Sequence, residues 1–66
     1  MDYHDFVGDK VKVIDKDQDE FVGVIISYEV GLEEDLDHDS IGIQVGKGYC
    51  ISIPIPDIRT FEVLEQ

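Results

Sequence analysis

Along this chain, apolar residues recur at every second position far more often than at every third or fourth, which is the spacing of strands. In KVKVI, residues 10–14, Val11 and Val13 share one face while Lys10 and Lys12 occupy the other, predicting a half-buried first strand. FVGVIISYEV, residues 21–30, is apolar on both faces. It predicts a long second strand, buried on both sides and bending between two layers at Gly23, since a strand glycine marks a tight bend or close backbone approach. SIGIQV (40–45) alternates with Ile41, Ile43 and Val45 inward, GKG (46–48) supplies a glycine turn, and YCISI (49–53) is the fourth strand. Pro54 and Pro56 lack amide donors, so PIPD (54–57) reads as a turn or a single 3₁₀ turn. Ile58 to Leu64 completes the set with Ile58, Phe61 and Val63 inward, and the step from 58 to 61 requires a local irregularity. The opening DYHDFVG accommodates a short helical turn, with Asp2 as N-cap and Tyr3, Phe6 and Val7 covering one end of the core.

Five short strands separated by turn signals predict an all-β fold, a small and strongly bent barrel, in a single domain spanning residues 1–66. A chain of this length buries only about 60% of the surface it exposes when unfolded, so its stability is marginal. Disulfides within the chain cannot help, because Cys50 is the one cysteine, and its apolar neighbours predict a small buried thiol. The N-terminal MDYHDFVGDK has neither a basic leader nor an apolar core segment, and no apolar run approaches the roughly 20 residues that span a bilayer. The expectation is a cytoplasmic protein.

Charge sharpens the picture. Sixteen acidic residues against five basic ones leave −11, and no basic cluster exists to displace phosphate counterions. Neither nucleic acid nor an anionic membrane is an expected partner. Two acidic segments raise the question of metal. Asp15, Asp17 and Asp19 alternate as in the opening of a calcium loop, but Glu20 stands where the sharp-turn glycine belongs and Ile26 where the bidentate glutamate belongs. The segment therefore reads as the solvated tip of a β-hairpin. Glu33, Glu34, Asp35, Asp37, His38 and Asp39 crowd oxygen and nitrogen ligands together, but this much like charge favours an extended, solvated loop. His38-Asp39-Ser40 has the residue types of a hydrolytic triad at adjacent positions, which cannot give the mutual geometry. His4, near a terminus, reads as a surface or capping residue. No catalytic residue, metal site or cofactor is expected, and a domain this small has little room for the usual pocket of roughly 300 Å³ or more.

The run GDKVKVIDKDQDEFVGVIISYEVGLEEDL resembles the first sequence motif of Sm-like proteins, through Gly8, Val11 and Val13, the acidic tip, Phe21, Gly23 and Tyr28. The same alternation with one glycine also suits Src-homology-3-like barrels. The Sm-like resemblance implies a strongly bent five-stranded barrel behind a short N-terminal helix, with Tyr49 to Leu64 supplying the last two strands. In that family an RNA loop follows the second strand, typically Asp, any residue, a stacking residue, Met, Asn. The matching positions here are Glu29, Val30, Gly31, Leu32 and Glu33. Gly31 offers no ring for base stacking, Glu33 puts a charge where a base-reading amide belongs, and Arg59 is followed by Thr60 where the family has an Arg-Gly pair. The scaffold is expected without the RNA chemistry. Sm-like domains commonly form rings by pairing the fourth strand of one copy with the fifth of the next. Pro54 and Pro56 near the end of the fourth strand oppose that pairing, so a monomer or small homo-oligomer through edge strands is expected. The function that follows is a non-catalytic, acidic interaction or accessory module with a protein partner. An alternative is a decoy whose carboxylates imitate nucleic-acid phosphates and occupy a basic protein. A second alternative is residual RNA binding.

Overall fold

A computed structural model describes residues 2–34 and 38–66. Its strands are β1 (Lys10–Asp15), β2 (Glu20–Glu29), β3 (Ser40–Gly46), β4 (Tyr49–Pro54) and β5 (Ile58–Glu65). All pairings are antiparallel and the strands form one five-stranded sheet in the order β4-β3-β2-β1-β5. The all-β expectation holds, but the sheet is open, because no pairing joins β4 to β5 among the described residues. Three 3₁₀ turns punctuate it, at Tyr3–Phe6, Gly31–Glu34 and Ile55–Asp57. The first and third are the turns predicted around Asp2 and at PIPD.

The core follows from alternation. Val11, Val13, Ile25, Ile41, Ile43 and Ile53 are buried to 4% exposure or less. Each contributes about 1.5–3 kcal/mol of transfer free energy relative to an exposed side chain. Phe6, Phe61 and Tyr3 close one end of this core, with the Tyr3 and Phe61 ring centroids 4.8 Å apart and edge-on. Asp2 caps the first 3₁₀ turn by accepting from the His4 N–H at 2.9 Å. Val7, by contrast, remains 45% exposed.

Curvature comes from irregularities in register. Ile26 of β2, Val45 of β3, and Arg59 and Leu64 of β5 are each an extra residue in the ladder. Such bulges bend a strand and increase its local twist. The one at Arg59 is the irregularity that the spacing of Ile58 and Phe61 demanded. Gly23 lies beside the place where β2 changes partners: it faces Val11 of β1, and the β3 ladder begins at the next residue, Val24↔Gln44. A Cβ at Gly23 would come within 2.1 Å of the Gln44 carbonyl oxygen. Glycine is required there by close backbone approach.

Two expectations about burial fail. Cys50 is exposed, because Ile51 and Ile53 turn toward the core and strand alternation then sends Cys50 outward opposite Gln44. The second strand is apolar on both faces but buried on only one. Val22, Val24 and Ile26 remain 39%, 36% and 45% exposed, because no second layer covers the outer face of the sheet among the described residues. No helix among those residues is long and apolar enough to cross a membrane.

Candidate interaction site

Three places concentrate side chains of chemical interest: the hairpin tip, a tyrosine–aspartate network, and a groove beside β2.

At the tip, the carboxylates of Asp15, Asp17 and Asp19 offer ligand atoms within 4.8 Å of one another. Backbone geometry accounts for this gathering. Asp15 Oδ1 accepts from the N–H of Asp17 at 2.9 Å and of Asp19 at 3.0 Å. The Gln18 N–H donates to the Asp15 carbonyl at 3.0 Å, and Gln18 itself takes the left-handed φ of +67° that closes the turn. The shared Asp15 oxygen is thus committed to folding the hairpin.

The second place is organised around Asp39, which was expected in a solvated loop. It is part-buried instead. Asp39 Oδ2 accepts from the Tyr28 hydroxyl at 2.5 Å and Oδ1 from the Gly31 N–H at 2.9 Å, while its carbonyl accepts from the Ile55 N–H at 2.9 Å. One residue therefore ties the end of β2 to two of the 3₁₀ turns. The His4 ring stacks on Tyr28, with centroids 3.7 Å apart, and His4 Nδ1 lies 2.9 Å from Asp2 Oδ1. The hydrogen bond to the Asp39 carboxylate, with help from burial, pushes the Tyr28 phenol up to about 12. The same bond, followed by the Gly31 N–H, holds Asp39 below its ordinary value. Asp2 is lowered as well, first by the His4 N–H and then by the His4 ring. Each of these side chains has a structural partner, so the network reads as a clamp.

The positions matching the Sm-like RNA loop separate here. Glu29 ends β2, where its Oε1 lies 3.4 Å from the Ser52 hydroxyl. Gly31 is buried, and a Cβ there would meet the His38 carbonyl oxygen at 2.2 Å. A stacking side chain cannot be accommodated at that position without moving backbone. Leu32 projects at 88% exposure, and Glu33 belongs to the 3₁₀ turn. Arg59 donates to the Pro56 carbonyl at 2.8 Å. Of the acidic-loop candidates, Asp35 and Asp37 lie outside the described residues. His38 is half-buried, and Ser40 is buried as the first residue of β3.

The third place was not foreseen. Because the β2–β3 ladder stops at Val24↔Gln44, the two strands part beyond it, and the bulge at Val45 falls at the parting. The result is a groove of 480 Å³ lined by Val22, Gly23, Val24 and Val45, with Lys10 and Lys47 on its sides. Ile26 continues the exposed stripe beyond it along the same face of β2. The sequence did carry a signal for this surface. Both faces of β2 are apolar, but alternation alone does not say whether a second layer covers the outer one.

Comparison with known proteins finds no matching family model, no matching curated protein and no matching solved structure.

Proposed function

We propose that this protein is a non-catalytic interaction module that presents the outer face of β2 to a protein partner, on an Sm-like scaffold that has lost its RNA loop. The observation that carries the reading is the contiguous stripe of Val22, Val24 and Ile26, left 36–45% exposed on one face of β2. Exposed apolar surface of this kind is costly to a small domain and marks interaction surfaces. The scaffold is supported by the short N-terminal turn and by the placement of β4 and β5 at the two sheet edges. Loss of RNA binding is supported by Gly31, whose close approach to His38 leaves no space for a stacking side chain, and by the net charge.

The test is photocrosslinking of the full chain in cell extract with a carbene-generating reagent, which inserts into aliphatic C–H bonds, with crosslinks mapped by mass spectrometry. Protein crosslinks should concentrate on Val22–Ile26 and disappear with Ile26→Asp, while circular dichroism of that variant stays native. Crosslinks to RNA that vanish on substitution at residues 29–33 would overturn the reading. So would a basic partner held only at low salt and indifferent to Ile26→Asp, which is the signature of a phosphate mimic.

A further inference from the structure

We propose that the groove between β2 and β3 binds an extended peptide segment rich in apolar and acidic residues. Its apolar side chains would rest on Val22, Val24 and Val45 and its carboxylates on Lys10 and Lys47. This rests on the interaction-module reading and adds the chemistry of the partner.

Charge complementarity selects the occupant. The chain has five cationic side chains. Lys12 pairs with Glu20 at 3.4 Å, Lys16 with Asp57 at 3.8 Å, and Arg59 bonds the Pro56 carbonyl. The remaining two, Lys10 and Lys47, form no ion pair among the described residues, although Glu65 is the register partner of Lys10 across β5. Both line this groove. In a protein of net charge −11, the two lysines without an ionic partner among those residues thus converge on one apolar trough. Anionic partners are repelled by most of the surface and attracted here, so the lysines fix where such a segment docks.

Backbone geometry selects an extended conformation. From Glu20 to Gly23, β2 pairs with β1 on one side, and the β3 ladder on its other side begins only at Val24. An added strand has a place to lie along that edge. Alternate side chains would then point to the Val22–Val24 face, the usual arrangement when a peptide augments a sheet. Helical or nucleic-acid occupants fit less well. A helix gains nothing from the strand edge, and a polynucleotide would carry a phosphate at every residue past the acidic tip.

The experiment selects binders from a displayed random peptide library on the full-length protein and then measures affinities of the enriched peptides by fluorescence anisotropy. Enriched sequences should combine carboxylates with Val, Ile, Leu or Phe. Lys10→Glu with Lys47→Glu should weaken them by about tenfold or more, whereas Lys16→Glu, on the tip, should change affinity little. Amide chemical-shift changes should fall on residues 20–24 and 44–47. Enrichment of basic or uncharged peptides, no enrichment, or affinity that survives the double charge reversal would overturn the proposal. Concentration-dependent shifts of the same amides without peptide would assign the groove to a second copy of the chain and equally overturn it. If the groove fails while crosslinks still map to Ile26, the interaction-module reading stands alone; if both fail, it falls too.

Discussion

A methyl group at position 23 would press on the Gln44 carbonyl oxygen and on Ile43 Cγ2, at 2.1 and 2.9 Å, and neither belongs to a flexible side-chain end. Gly23→Ala should therefore destabilise the fold by about 1–3 kcal/mol, the usual cost of overpacking, read as a lower urea midpoint. The importance of Gly23 was legible in the sequence, because a glycine that interrupts a β-branched run marks a bend or a close backbone approach. Asp39 was not legible. Its side-chain partners Tyr28 and Gly31 are eleven and eight residues away, and the composition around it speaks only of solvation. Cys50 failed in between: its neighbours gave its polarity preference, but the register of Ile51 and Ile53 decided its face.

For the elements, strand positions and turns followed from alternation and from Gly and Pro, and the hairpin tip followed from the failed calcium pattern. The outward face of β2 did not, since periodicity reports that a face is apolar and not whether another layer exists to cover it. At the tip, a single carboxylate oxygen serves two amides of the turn. Asp15→Ala should cost about 1.5–3 kcal/mol by differential scanning calorimetry, the range for lost hydrogen bonds to a charged group. Calcium chloride should raise the melting temperature of the parent protein no more than sodium chloride of equal ionic strength. A larger rise, abolished by Asp17→Asn, would show that the three aspartates act as a cation site after all.

At the scale of the whole molecule, the Tyr28–Asp39 clamp predicts a two-sided pH dependence. Asp39 titrates lower when folded than when unfolded, so its contribution is present above the ordinary carboxylate range and is lost as pH falls through the lowered value. Tyr28 titrates higher when folded, so its contribution is fully present below its ordinary 10.0 and is lost as pH rises through about 12. Thermal midpoints across pH should decline on both sides, and Tyr28→Phe should flatten the difference at each extreme relative to the parent. A variant with an unchanged pH profile would show that the clamp does not couple to folding. Finally, the strand order puts β1 between β2 and β5, the latter synthesised last. On the ribosome, at about 5–20 residues per second, β1 must wait several seconds for β5 to emerge. Throughout that interval the nascent chain carries an uncovered edge beside Val11 and Val13, a window in which a holdase chaperone or a premature neighbour could take the vacancy.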